Sequence, residues 1–529
     1  KMLGKFPYST RLCLPSSKFS DCICILFSSM HVMHVDSVQH WMKDLRLMAE
    51  CECMCILQSK PISTDGDGQS ELVVAPQRIL EDKLQALLKR AWIITTELSK
   101  IFHKLEQNRW QRIHSTAVRV GCHVRSLINE YNSYTGKSLM KQCSDLTAMT
   151  ERCVGVEDPE TLKPMKGVIV GALMSLSQSF SQMVELALTH EIQDLVRQVD
   201  SCTSMLGVEA AISSLIDLTQ EGAHLCHIIA KEGGVMVLFK LCRQESLSYL
   251  HPHALRALSS LCGVEEGINQ LEKVDGVLCL ADLLTDETNS EATRAEAAAV
   301  VAQITSPHLS FTQHLSSFLE NMEDMVTALI NMCKDASSSE VFLLASAALA
   351  NITFFDSMAC EMLLQLNATK ILIDACRDPE RVDTPYCKDQ VVTILANMAT
   401  LDQCASEISQ ENGVELLLEL LHEKSSPGVP AEAGALERVL QKAAVTLARL
   451  SRDPSIIRIA TKQNCKNRLC RSPSERNNSD SVLVACLAAL RKLSASCPES
   501  FEDSDYQQLI KPRLVDSFLL CSNMEESFV

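Results

Sequence analysis

One helical stretch recurs along the chain at a near-constant interval, and that recurrence limits the folds open to it. The clearest copy is LLASAALANIT, Leu343 to Thr353. The leucine of its ALxxL-like pattern marks the other copies. They fall at Leu215, Leu258, Val301, Leu349, Leu395, Leu447 and Leu490, separated by 43, 43, 48, 46, 52 and 43 residues. Each copy places apolar residues at i, i+3, i+4 and i+7, the spacing of one helix face. Ala and Ser between them let neighbouring helices approach closely. One such unit cannot bury its apolar stripe alone, so a chain that repeats it must stack the units.

A second unit precedes several markers: EGGVMVLFKLC (Glu232 to Cys242), VDGVLCLADLL (Val274 to Leu284), NATKILIDAC (Asn367 to Cys376) and NGVELLLELL (Asn412 to Leu421). Each opens on a turn residue and continues as a helical stripe. Gly or Asn at the turn permits φ > 0. A period of roughly 40 to 47 residues, a Gly-containing turn and the ALxNL helix together resemble the second and third helices of armadillo repeats, over roughly residues 205 to 500. The expected fold is all-α: an armadillo-like helical-repeat solenoid over 201–500, preceded by a helical segment and an N-terminal linear binding motif. In armadillo repeats a third-helix Asn lies on the concave face and bonds an extended peptide. The resemblance implies that role for Asn351 and Asn397. The other repeats carry Asp217, Ser260, Gln303, Arg449 and Lys492 there, which counts against the alternative of a peptide or cargo carrier of the importin or catenin type. Around 463–470 (QNCKNRLC) the second-helix stripe nearly vanishes, so the last repeat reads as truncated.

Composition narrows the function. The chain is 46% apolar and 4% aromatic, which suits an all-helical solenoid, and its net charge is -17. That charge argues against nucleic acid or an anionic membrane as the main partner. The 24 cysteines are scattered over apolar stripes, as small buried hydrophobes in a reducing compartment would be. No apolar run reaches 18 residues, so no transmembrane segment is expected. CICILF (Cys22 to Phe27) is short and poorly flanked for a signal peptide.

Residues 1–30 have no clear periodicity and are unassigned. Residues 31–64 change character midway. Asp36 and Gln39 form a capping-box-like pair, after which Val38, Trp41, Met42, Leu45 and Met48 share one helix face. A helix of about three turns is marginal alone and needs either the body of the protein or a partner's groove. Glu50-Cys51-Glu52-Cys53-Met54-Cys55 then alternates with period two, as extended chain does. Pro61 and the Ser63–Gly68 run lead into a flexible linker, 65–78.

The string SVQHWMKDLRLMAECECMCILQSKPI (Ser37 to Ile62) resembles the adaptor-binding segment of the Inscuteable family, and the likeness extends over nearly the whole chain after residue 30. It implies a non-enzymatic adaptor in asymmetric cell division, cytoplasmic and recruited to the apical cell cortex. One partner would be the tetratricopeptide (TPR) domain of a Pins-type spindle adaptor, with Val38, Trp41, Met42, Leu45 and Met48 as apolar anchors and Glu50 and Glu52 facing basic groups. Through that adaptor the link would reach a heterotrimeric G-protein α subunit indirectly. The family's second link is to the PDZ-containing scaffold of the Par polarity complex. Ser527-Phe528-Val529 fits a class I PDZ ligand, in which Val529 fills an apolar pocket, backbone amides hold the carboxylate and Ser527 hydrogen-bonds.

Between motif and array, residues 79–200 read as a helical lead-in. Leu80, Leu84, Leu87 and Leu88 start one stripe, continued by Trp92, Leu98, Ile101 and Leu105. Further runs cover Val118 to Tyr131 and Val168 to Val199, with Gly155, Pro159 and Pro164 as separators. Two loops interrupt the array, Glu423 to Glu437 and Cys470 to Ser481; the second reads first as a plain solvated loop, with Ser472 and Ser474 as candidates for phosphorylation. Residues 501–529 form a tail.

No constellation supports catalysis, a cofactor or a metal. Gly136-Lys137-Ser138 resembles the end of a phosphate-binding loop, but Tyr131 stands where that loop needs Gly. Cys51, Cys53 and Cys55 beside His31 and His34 lack the C-x-x-C spacing of structural zinc sites. His224 and His227 read as a helix pair.

Overall fold

The computed structural model describes residues 77–131, 136–156, 159–201, 204–307, 316–423, 430–463, 465, 469 and 480–496. Among them every regular element is helical. They form two compact units, one ending at Val237 and one starting at Leu238.

The first unit opens with four helices: α1 (Gln77–Glu106), α2 (Trp110–Tyr131), α3 (Gly136–Arg152) and α4 (Pro159–Ser201). α1 packs on α2, α2 on α3, α3 on α4, and α4 returns to α1. The buried residues of α1 step by three and four: Leu84, Leu87, Ala91, Ile94, Leu98, Ile101 and Leu105. α2 repeats the step with Trp110, Ile113, Ala117, Val120, Val124 and Leu127, and α4 with Ile169, Leu173, Leu176 and Phe180. A strict 3-4 alternation averages 3.5 residues, the seam of a helix bundle. It explains where the sequence reading of α1 slips. Leu88 and Trp92 are only half-buried, because the seam takes Leu87 and the small Ala91 instead. α3 carried no marked stripe in the sequence. Pro164 lies inside α4 and does not end it. α4 from Leu162 to Ser201 is long and apolar enough, by length and composition, to cross a membrane, although no such segment was expected. Here its apolar seam is covered by α1 and α3. Then α5 (Met205–Gln220) and α6 (Ala223–Lys231) pack on α4.

After α7 (Gly234–Cys242), within which the two units divide, the second unit is built on a row of long helices: α8 (His251–Leu261), α11 (Glu291–Ile304), α13 (Ser339–Phe355), α16 (Pro385–Met398), α19 (Pro430–Leu450) and α21 (Asp480–Ser496). Each packs on the next in that order. Between them lie α9 (Glu265–Lys273), α10 (Gly276–Thr285), α12 (Ser316–Asp335), α14 (Ser357–Gln365), α15 (Ala368–Arg377), α17 (Asp402–Gln410), α18 (Gly413–Leu420) and α20 (Pro454–Lys462). The unit is an all-α helical-repeat solenoid of armadillo-like three-helix organisation. Six of the seven markers sit in its row, and Leu447 is the most accessible of the six at 3%.

The turns between first and second helices refine the role of glycine. The left-handed residues are Asp275, Asn367 and Asn412, with φ of 51°, 53° and 62°. Where a glycine follows, at Gly276 and Gly413, it serves packing, whereas Ala368 follows Asn367. A Cβ on Gly276 would lie 2.7 Å from Leu271 Cγ, and one on Gly413 2.5 Å from Ile408 Cγ2. The first helix therefore closes onto the start of the second.

Of the fourteen described cysteines, all but Cys122 are buried, and all are free thiols. Burial pushes Cys226 up to about 12 and Cys143 up to about 11, so these thiols stay protonated and inert.

Candidate interaction surfaces

Much of the sequence-assigned site lies outside the described residues: Val38, Trp41, Met42, Leu45, Met48, Glu50 and Glu52 at one end, Ser527, Phe528 and Val529 at the other. So do Cys51, Cys53, Cys55, His31, His34, Ser472 and Ser474. Gly136-Lys137-Ser138 opens α3, and the Gly136 Cβ position is filled by Ile128. His224 and His227 are exposed on α6. Although its surface is exposed, surrounding protein partly desolvates His224 and holds it below the usual imidazole range; the charge of Glu185 opposes this, and His227 adds to it. Among the described residues no group of three side chains could hold a metal ion.

Asn351 and Asn397 are described, and they form one chemical pattern with Arg449. Asn351 Nδ2 donates to the Ala302 carbonyl at 2.8 Å. Asn397 Nδ2 donates to the Ala350 carbonyl at 3.2 Å and to Thr353 Oγ1 at 3.1 Å. Arg449 Nη1 donates to the Ala396 carbonyl. Each donor stands two residues after its marker, and each acceptor one residue after the preceding marker. Ala302 and Ala396 lie in the last four positions of their helices, where carbonyls lack an intrahelical partner. Arg452 extends the pattern, its Nη2 reaching the carbonyls of Ala399 at 3.0 Å and Thr400 at 3.4 Å. The two asparagines thus engage amide hydrogens within the array. Identity varies from Asn to Arg, while the chemistry, a donor aimed at the previous helix, is kept.

Charges join the same helices. Arg256 on α8 pairs with Glu296 on α11. Burial pushes the Glu296 carboxyl upward, and Arg256 opposes this. Between α16 and α19, Asp389 Oδ2 accepts from Arg438 Nε at 3.0 Å, and Lys442 Nζ lies 2.7 Å from Oδ1. Lys442 also donates to Thr393 Oγ1 at 2.6 Å. Burial acts to raise Asp389, but Lys442 and Arg438 outweigh it and hold the carboxyl below its usual range. Sequence reasoning missed this cluster, because its members lie far apart in the chain and away from the markers. These charges join neighbouring repeats of the array.

Residues 33–79 match the family described as Inscuteable LGN-binding domain. Residues 90–529 match the one described as Protein inscuteable C-terminal. The chain is 61% identical to the human protein inscuteable homolog, over 98% of this chain and 92% of that protein. It is 60% identical to the mouse protein inscuteable homolog over the same shares. Among solved structures, an engineered protein aligns with 84% of this chain and 99% of its own at 18% identity and a TM-score of 0.47. A designed armadillo repeat protein aligns with 48% of this chain and 99% of its own at 21% identity and a TM-score of 0.38.

Proposed function

Because the chain belongs to the Inscuteable family, we propose that it is a non-enzymatic adaptor of asymmetric cell division, joining a cortical polarity complex to a Pins-type spindle-orientation adaptor. The match of residues 33–79 to an LGN-binding domain is the observation that carries the reading. Val38, Trp41, Met42, Leu45 and Met48 are its apolar anchors on the partner's TPR domain. Glu50 and Glu52 supply charge-assisted contacts to basic side chains there. The second proposed contact is Ser527-Phe528-Val529, on a PDZ domain of the Par scaffold. The repeat array holds the two contacts on one chain, so that the second binding event occurs at raised effective concentration. In this reading the protein is cytoplasmic, is recruited to the apical cortex, and meets a heterotrimeric G-protein α subunit only through its adaptor.

Calorimetry tests the first contact, using the full chain and a His34 to Thr64 peptide against a purified Pins-type TPR domain. Both ligands are expected to bind. Changing Glu50 and Glu52 to Ala removes two hydrogen bonds to charged groups, each worth about 1.5–3 kcal/mol, so affinity should fall by roughly a hundredfold or more. A wild-type chain and peptide that both fail to bind would overturn the reading.

A further inference from the structure

One stretch of the first unit is basic within an acidic chain. Residues 89–125, the C-terminal part of α1, its turn and most of α2, hold eight Lys/Arg against two Asp/Glu, a net +6, in a chain of net charge -17. The fold concentrates part of this charge where α1 and α2 pack. Glu97 accepts from Lys100 Nζ at 2.7 Å and from Arg119 Nη2 and Nε at 2.8 and 3.1 Å. Lys104 Nζ donates to Thr116 Oγ1 at 2.7 Å. Lys100 and Arg119 each keep 51% of the side chain exposed, and Arg109 and Arg112 are exposed. One carboxylate therefore serves a crowd of cations. The crowding is felt at Lys104, which burial holds below the usual lysine range. The charges of Arg119, Lys100 and Arg112 push it the same way, against Glu97. On the same outer strip of α2, Val118 is 40% exposed and Cys122 is exposed, with Arg119 and Arg125 beside them.

We propose that this face of α1 and α2 docks on an anionic phospholipid surface, with Lys100, Lys104, Arg112 and Arg119 taking phosphate-bearing headgroups and Val118 resting at the acyl boundary. Clustered cations beside an exposed apolar side chain favour an anionic interface. The overall negative charge does not prevent docking, because salt screens charges beyond about 8 Å at physiological ionic strength and leaves the local patch to decide at contact. The inference holds whether or not the adaptor reading does.

The test is sedimentation of the full chain with vesicles of phosphatidylcholine alone, and of phosphatidylcholine carrying phosphatidylserine or phosphatidylinositol bisphosphate. The chain is expected to pellet with the anionic vesicles at 0.1 M salt, to stay in solution with the neutral ones, and to be released at 0.5 M salt. Each basic side chain near such a surface contributes about a fivefold gain in affinity, so the double variant Arg109→Glu/Arg112→Glu should bind at least about twentyfold more weakly. Both residues are exposed, and circular dichroism checks that the helices remain. Equal pelleting on neutral and anionic vesicles would overturn the proposal. So would retention at 0.5 M salt, unchanged binding by a folded double variant, or capture of an acidic peptide or single-stranded nucleic acid without vesicle binding. If the double variant loses helix, the salt series and the vesicle comparison on the unmodified chain decide.

Discussion

Replacing Asp389 by Asn removes the one negative charge between Arg438 and Lys442 while keeping its shape. Asp389 keeps 3% of its side chain exposed, and the two cations keep 14% and 19%. Breaking a fully buried ion pair by removing one partner costs about 3–5 kcal/mol. Because both cations retain a path to water, the expected cost falls below that range, about 2–3 kcal/mol. A 529-residue chain of two units does not unfold in one step, so the loss is best read locally. Amide hydrogen exchange along α16 and α19 should accelerate by about thirty- to a hundred-and-sixty-fold, at 1.36 kcal/mol per decade, while α1 to α4 keep their protection. Adding Lys442→Met removes one of the two unneutralised cations and should recover part of the loss, which a double-mutant cycle measures. The pH dependence has a definite sign. A carboxyl held below its unfolded value, about 3.9, contributes stability that is present above that value and lost as pH falls through the folded pKa. The unmodified array should therefore weaken in acid, and the Asn variant should lack that limb. Exchange in α16 and α19 that rises less than about threefold, or a loss spread evenly over both units, would refute the account of Asp389 as the centre of a local clamp.

Gly276→Ala places a methyl 2.7 Å from Leu271 Cγ and 3.0 Å from the Phe239 ring. It should cost roughly 1–3 kcal/mol by overpacking, measured as a lower denaturant midpoint of the second unit. Asp275→Gly at the adjacent left-handed position relieves a steric penalty and adds chain entropy, and should stay within about 1 kcal/mol of the parent. His251 is 3% exposed and its Nε2 lies 3.1 Å from the Gln244 carbonyl. Burial holds its pKa below the usual imidazole value, and the hydrogen bonds to the backbone at Gln244 and Leu241 oppose this. The neutral ring thus contributes stability that is present above about pH 6.5 and lost as pH falls through the folded pKa. Thermal scans at pH 7.5 and 5.5 should show a drop that His251→Phe diminishes.

The repeat architecture was legible because each unit had to bury a stripe. Leu258, Val301, Leu349 and Leu395, read as markers, are all at 0% exposure. The turn residues were legible in kind, but not in the division of labour. Sequence shows that Asp275 and Gly276 form a turn. Only the closeness of Leu271 shows that the glycine is there for want of space. The bundle seam was harder to see because Ala91 and Ala117 occupy seam positions without standing out among stronger apolar neighbours such as Trp92 and Val118. Asn351 and Asn397 were found as a pair, while their kinship with Arg449 was hidden by side-chain identity. The acceptors are main-chain carbonyls, which no sequence displays. Whole-chain charge concealed the basic face of α1 and α2, since a sum over 529 residues averages away a local excess.

The donors at Asn351, Asn397 and Arg449 each reach only the helix before them. Under tension, an array held in this way passes load from one helix to the next. It yields the way a zipper does, one tooth at a time from a free end, and a tooth that opens can close again while its neighbours hold. Resistance to force would then scale with how the load enters the array, at an end or along its side, more than with its total stability.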